Sequence, residues 1–219
     1  MDSNSTPSRL ILGSASPRRR ILLATLGVAF ECGAAHGVDE SKVTGTASEC
    51  VVQLARCKAE AVLAKAGGAA NDVATRVLSA DTVVAVSDRG TEEVFGKPSE
   101  ADHAREMLAR LAGSTHEVYT AVALAAPTEA IRVEVEVTKV TFRALTAHDI
   151  DTYVASGEPM GKAGAYAIQG EGRSLVAGVS GCYYNVVGLP LARTARLLGI
   201  PYACDCTRCD LQRGAAGCT

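Results

Sequence analysis

The sequence predicts an α/β or α+β protein built on a mixed β-sheet with flanking helices. Three observations carry that prediction. Apolar runs that read as strands, such as 10–13 and 76–87, alternate with stretches of helical apolar spacing. Two adjacent strand-like segments, 117–126 and 131–142, break the alternation and read as a hairpin. At 219 residues, 47% apolar and 21% charged, the chain can bury one sizeable core, with or without a small second lobe.

The first strand, Leu10-Ile11-Leu12-Gly13, runs into Ser14-Ala15-Ser16-Pro17-Arg18-Arg19-Arg20. Ser16 is a good N-cap and Pro17 a good first helical residue. Apolar residues then follow at helical spacing from Ile21 to Leu26. Arg18 and Arg19 fall in the first turn, where the helix dipole disfavours cations. An anion at the turn resolves the conflict. Free N–H groups, the two serine hydroxyls and two guanidiniums would make a phosphate cradle. A solvated basic helix start is the plainer alternative. The Gly-Lys-Ser/Thr ending of a Walker A loop is absent.

Gly27 reads as a C-cap, followed by a short strand over 28–32. The loop 37–41 carries two adjacent carboxylates, Asp39 and Glu40. A second helix runs from Ser48, as N-cap, to about Lys65, with Val51, Leu54, Ala55 and Val62 as its apolar stripe. Lys58 falls on that stripe, and a lysine on a buried face needs a partner or a route to water. A snorkelling stem is the plain reading; a lysine aimed into an anion site is the sharper one.

Within the strand 76–87, Asp81 interrupts an apolar run. A buried carboxylate is costly unless it is paired or on a metal. The alternative is an edge-strand aspartate at a bulge. Gly96-Lys97-Pro98 follows a turn, and Ser99 then caps a helix that buries Ala104, Met107, Leu108 and Leu111 and ends at Gly113. In the second hairpin strand the apolar phase shifts from Val133, Val135 and Val137 to Val140 and Phe142, which predicts a bulge near Thr138-Lys139. Thr146 to Asp149 resembles a capping box, with the helix ending at Gly157. Residues 158–172 have no periodicity. Glycines and alanines there stand beside Lys162, Tyr166 and Gln169, which suits a backbone close to a ligand, or a plain Gly-rich loop. A strand over 175–179 follows, and a last helix opens at Gly188-Leu189-Pro190 and ends at Gly199.

Composition excludes several classes. A net charge of −2 and only 4% aromatics argue against nucleic-acid binding. No apolar run approaches the ~20 residues that span a bilayer, and residues 1–8 lack a signal-peptide core. A cytoplasmic location is the expectation. Cys32, Cys50, Cys57 and Cys182 read as ordinary small apolar residues in a reducing compartment. Cys204, Cys206, Cys209 and Cys218 crowd the end of the chain, where zinc or a mobile tail with free thiols are the alternatives. His36, His103, His116 and His148 show no metal spacing. The expected organisation is a disordered tail over 1–8, one domain over 9–200 and a cysteine-rich tail over 201–219.

Arg18, Arg19, Lys58, Lys97 and Lys162 are cations beside turns or apolar stretches, and Asp39, Glu40 and Asp81 are acids in similar places. Many cations suit a polyphosphate, and a small carboxylate set suits Mg²⁺. Together they point to phosphoanhydride hydrolysis, with a carboxylate orienting or deprotonating a water.

In this order the motifs resemble the Maf family of nucleoside triphosphate pyrophosphatases, once called septum formation inhibitors. The matching pieces are Ser14-Ala15-Ser16-Pro17-Arg18-Arg19, Val38-Asp39-Glu40, Ala55-Arg56-Cys57-Lys58-Ala59, Ala80-Asp81-Thr82-Val83, Gly96-Lys97-Pro98, the run from Lys162 to Gly170, and Val187-Gly188-Leu189-Pro190-Leu191. The resemblance implies a fold similar to the inosine triphosphate pyrophosphatases, with two lobes around a cleft. It implies metal-dependent cleavage of a nucleoside triphosphate to monophosphate and diphosphate, with Mg²⁺, Mn²⁺ or Co²⁺. By the same resemblance Asp81 is the proton acceptor and Glu40 its acidic partner at the metal, with Lys97 beside them. Ser14, Arg19, Lys58, Lys97 and Lys162 are phosphate-side ligands, and Arg18, Thr82 and Gln169 match positions tied to base selection. The Ala-Tyr-Ala-Ile-Gln-Gly version of the late motif resembles the subgroup acting on dTTP and UTP; a 7-methyl-GTP subgroup carries Ser-Glu in place of Ile-Gln. A glutamine can pair with a pyrimidine imide as both donor and acceptor. A non-hydrolytic nucleotide-binding regulator of division is the other reading, and a homodimer is the expected assembly.

Overall fold

The computed structural model describes residues 9–35, 37–40, 43–66, 75–88 and 90–203. The expectations for residues 1–8, for His36 and for the cysteines from Cys204 onward lie outside the described residues.

A single mixed sheet of seven strands runs in the order β2-β1-β3-β5-β6-β7, with β4 also paired to β3. The short β1 (Leu10–Leu12) lies parallel to β2 (Glu31–Cys32) and to the long β3 (Arg76–Asp88). The strands β4 (Thr91–Phe95), β5 (Thr115–Ala126), β6 (Glu129–Phe142) and β7 (Val176–Ser180) add antiparallel pairs.

One face is covered by α2 (Ala47–Ala66). Ala55 and Ala59 on the helix and Ala121, Ala123 and Ala125 on β5 are all fully buried. Those small side chains let the helix backbone lie close to the sheet. The opposite face packs against α1 (Pro17–Ala24), α3 (Ala101–Leu111), α4 (Ala147–Ala155) and α6 (Leu191–Leu198), through Leu23, Leu108, Tyr153 and Leu191 among others. A further short helix, α5 (Tyr183–Val187), lies between β7 and α6.

Local signals placed several boundaries well. Ser16 caps α1 by accepting from Arg19 N, with Pro17 as the first helical residue. Thr146 and Asp149 form a reciprocal capping box at α4. Gly199, at φ 71°, ends α6. Other boundaries differ from expectation for identifiable reasons. The start of α2 sits earlier, because Thr46 Oγ1 accepts from Glu49 N while the Glu49 carboxylate accepts from Thr46 N. That capping box makes Ser48 a first-turn residue. At α3 the N-cap position is Glu100, with no side-chain cap bond, and the Ser99 hydroxyl bonds His103 Nδ1 instead.

The strand expected over 28–32 is only Glu31–Cys32, since the three-residue β1 pairs with just these two residues. Val28 and Phe30 pack half-buried on the core. α1 ends with Thr25 as its C-cap, and Gly27 lies two residues beyond it. β4 and α5 were not expected at all. Both are five residues long with too little periodicity to read. The bulge expected near Thr138-Lys139 is absent: Thr138 pairs with Val118 and Lys139 with Glu117 in unbroken register. The apolar phase changes because the buried face changes. Val133 and Val135 lie against the α2 side, whereas Val140 and Phe142 are buried on the other. The register shifts that do occur lie at Leu124/Ala126 and Thr141/Phe142.

Candidate active site

β3 is interior to the sheet, but one of its sides is interrupted. On that side β1 pairs with residues 76–78 and β4 with residues 84–88, while β5 runs along the other side. Among the described residues, 79–83 have no ladder partner there, and Asp81 lies at the middle of the gap. The edge-aspartate alternative was therefore half right: Asp81 sits on a central strand at a local opening. Side chains alternate along a strand, so Asp81 and Thr82 point to opposite faces. Both still reach the same cleft, because the sheet is open at that point.

The cleft encloses about 420 Å³ and is lined by all ten residues that the resemblance gives a role. Ser14, Arg18 and Arg19 come from the β1–α1 turn. Glu40 comes from the loop before α2, and Lys58 from α2 itself. Asp81 and Thr82 come from β3, Lys97 from the turn after β4, and Lys162 and Gln169 from the segment after α4. Asp39, adjacent to Glu40, lines a separate shallow groove with Val38, Gln53 and Cys57.

Lys58 is the hub. Its ammonium donates to Glu40 Oε1 at 2.6 Å and to Asp81 Oδ1, and its side chain is only 13% exposed. The snorkelling reading is thus replaced by a lysine paired inside the cleft. Asp81 is 5% exposed, so this pairing supplies the partner that a buried carboxylate requires. Lys97 Nζ donates to both Glu40 oxygens at 3.1 and 3.2 Å. Burial acts to raise the Glu40 carboxyl, but bonds and charge from Lys58 and Lys97 outweigh it and hold Glu40 below the usual carboxylate range.

Arg19 is held at three points. Nε donates to Gly188 O at 2.8 Å, and the terminal nitrogens donate to Thr82 Oγ1 at 3.0 Å and Ser14 Oγ at 3.4 Å. Burial lowers its guanidinium from the ordinary value, with the carboxylates of Asp81 and Glu40 acting in opposition. The first turn of α1 contains no acid, so the conflict between Arg18, Arg19 and the helix dipole is present as expected. Lys162 is lowered by burial and by the charge of Arg18. Its ammonium donates to Glu158 O.

The late segment is braced from two sides. Gly164 N donates to Gly96 O at 3.0 Å, which brings the Lys97 and Lys162 turns together. Gly164 has φ +65°, and a Cβ there would meet Val84 Cγ2 at 2.7 Å. This glycine is required by both conformation and space. From α4, Tyr153 OH accepts from Ala167 N, and just beyond the helix the Glu158 carboxylate accepts from Gly172 N. Ile168 is buried between these braces while Gln169 stays exposed to the cleft.

Sequence reasoning missed the residues behind the cleft. The Gly188 carbonyl holds Arg19 directly, Thr120 acts on it through Thr82, and Asn185 through Thr120 and Thr82; His116 backs Tyr166, the tyrosine of the ligand-side loop. Thr120 and Thr138 are both buried in the hairpin, which the sequence does not display.

Two carboxylates, Glu40 and Asp81, converge on one cation, Lys58. A pair of hard oxygen donors at one point fits a divalent ion completed by phosphate oxygens and waters. Among the described residues no group of three or more His, Cys, Asp or Glu is placed to hold a metal ion. No described helix is long and apolar enough to cross a membrane.

Five cations gathered around two acids in a cleft at a gap in the sheet define an α/β protein suited to hold a polyanion. The particular family follows from comparison: the chain belongs to the Maf-like proteins, whose family description matches residues 9–200. A dTTP/UTP pyrophosphatase of Myxococcus xanthus is 50% identical over 202 residues, spanning 90% of this chain and 96% of its own. Another from Bacillus cereus is 45% identical, spanning 87% of this chain and 94% of its own. Among solved structures, a nucleoside-triphosphatase, dITP/XTP pyrophosphatase, from Mycobacterium abscessus overlaps 63% of this chain and 75% of its own at 17% identity, with a TM-score of 0.41. That overlap is too partial to bear on this chain's activity.

Proposed function

We propose that the protein is a nucleoside triphosphate pyrophosphatase acting on dTTP and UTP, releasing the monophosphate and diphosphate. The observation that carries the reading is the convergence of Arg18, Arg19, Lys58, Lys97 and Lys162 on the cleft that holds Glu40 and Asp81. The names of the relatives support the substrate class.

Asp81 is the proton acceptor for the attacking water. Its near-complete burial excludes competing solvent, and Lys58 keeps a countercharge beside it. Glu40 and Asp81 would hold the divalent cation. When bound, that ion would neutralise phosphate charge and make a water more acidic. Ser14, Arg19 and Lys162 take phosphate oxygens, with Arg19 preset by its three acceptors before substrate arrives. Lys97 stands on Glu40 at the mouth, half exposed, where it can move to an incoming phosphate. Gln169 and Arg18 lie at the base end. The Thr82 hydroxyl already bonds Arg19 and Thr120, leaving one lone pair for a base.

The test is incubation of the purified protein with Mg²⁺ and a panel of nucleoside triphosphates, with products identified. Monophosphate plus diphosphate from dTTP and UTP is expected, and Asp81→Asn should abolish turnover while keeping the fold. Hydrolysis of 7-methyl-GTP alone would overturn the assignment of Gln169. Near-normal turnover by Asp81→Asn would overturn the assignment of the base.

A further inference from the structure

From Arg19 a chain of hydrogen bonds runs through the cleft residue Thr82 into the protein interior. A terminal N–H of Arg19 donates to Thr82 Oγ1 at 3.0 Å. Thr82 Oγ1 lies 2.9 Å from Thr120 Oγ1, and Thr120 Oγ1 lies 3.0 Å from the Asn185 main-chain oxygen. Thr120 and Asn185 are both fully buried, and neither lines the cleft.

The two ends dictate the direction of this chain. A guanidinium can only donate and a carbonyl can only accept. Thr120 therefore gives its one proton to Asn185 O. Its oxygen then accepts the proton of Thr82. Thr82 is left with lone pairs alone to offer Arg19. The fixed carbonyl makes Thr82 an obligatory acceptor, two residues removed from itself.

The far end is pinned. Asn185 Nδ2 donates to Val118 O on β5 and to Thr138 Oγ1 on β6, both at 2.9 Å. Thr138 Oγ1 in turn donates to Cys182 O and accepts from Cys182 N, both at 3.1 Å. These bonds fasten α5 to the sheet. The same helix ends in Gly188, whose carbonyl takes Arg19 Nε. Two of the three acceptors of Arg19 thus depend on α5.

We propose that Thr120 is a positioning residue: relaying from the Asn185 carbonyl, it turns the Thr82 hydroxyl to accept from Arg19 and so fixes the guanidinium at the phosphate end of the cleft. This rests on the reading of Arg19 as a phosphate ligand.

Thr120→Val keeps the side-chain shape and removes the relay. Binding of the α,β-imido analogue of dTTP with Mg²⁺ is measured by calorimetry, alongside steady-state turnover of dTTP. We expect Thr120→Val to weaken analogue binding three- to tenfold and raise KM by a similar factor, and Thr120→Ser to restore both to within twofold. In an Arg19→Ala background, Thr120→Val should add less than twofold. A merely structural role would multiply binding by the same factor in both backgrounds, and that result overturns the proposal. So does wild-type binding by Thr120→Val. If Thr120→Val fails to fold, Thr120→Ala enters the same cycle. A wild-type protein that binds the analogue but does not hydrolyse dTTP would overturn the pyrophosphatase reading, and the binding cycle would still decide the role of Thr120.

Discussion

Acidification should destabilise the protein through His116, by an amount that can be worked out. The imidazole is 1% exposed and sits edge-on to Phe142 and Tyr166, with ring centroids at 4.9 and 5.4 Å. Nε2 shares a 2.9 Å hydrogen bond with Tyr166 OH, and Nδ1 is buried without a partner. Burial pushes the group down from 6.5 to about 4. The folded state therefore holds His116 neutral where the unfolded chain protonates it. The unfolded state binds more protons, so stability rises with pH across this window. The contribution is complete above the unfolded value of 6.5 and is lost as pH falls from there toward 4. The interval spans two to three pH units, and at about 1.4 kcal/mol per unit the full loss is about 3 kcal/mol, most of which has gone by pH 4.5. Other carboxylates titrate in the same range, so the control is His116→Phe. That variant leaves Tyr166 OH unsatisfied at every pH, a constant cost of about 1–2 kcal/mol. Urea unfolding of both proteins at pH 7.5 and 4.5 isolates the histidine. The wild type should lose about 2–3 kcal/mol more than His116→Phe between the two pH values. Equal losses would refute the reasoning.

Removing the hub cation should be costly. Lys58→Met leaves the Asp81 carboxylate buried without its ammonium, and a loss of about 2–3 kcal/mol is expected in urea denaturation, since breaking one side of a buried pair strands the other. Combining it with Asp81→Asn should recover at least about 1 kcal/mol relative to the summed single losses; strict additivity would show that the pair is not coupled. Gly164→Ala should lower stability by about 1–3 kcal/mol, because φ +65° and the 2.7 Å approach to Val84 Cγ2 both exclude a Cβ. Melting indistinguishable from wild type would show that the turn adapts.

What the sequence determined by itself was local. Ser16 before Pro17, and Thr146 three residues before Asp149, each specify a helix start through bonds that span three residues. The alternation of Val133, Val135 and Val137 in β6, and the aspartate inside the apolar β3, were legible for the same reason: the periodicity of a strand is carried by its own residues. The site was legible as a set, because charged residues beside turns and apolar runs are anomalies that a sequence displays without coordinates. Their geometry was not. Lys58 meets Asp81 across 23 positions, and Arg19 meets the Gly188 carbonyl across 169. The opening in the sheet exists only because β1 stops at Leu12 and β4 ends beside Val84, a relation between strands rather than a property of either. β4 and α5 are too short to signal themselves, and pairing with β3 and the bonds of Asn185 hold them in place. Thr120 read as an ordinary strand residue, and only the tertiary structure, by setting a carbonyl from α5 behind it and a guanidinium from α1 in front, made its hydroxyl part of the site.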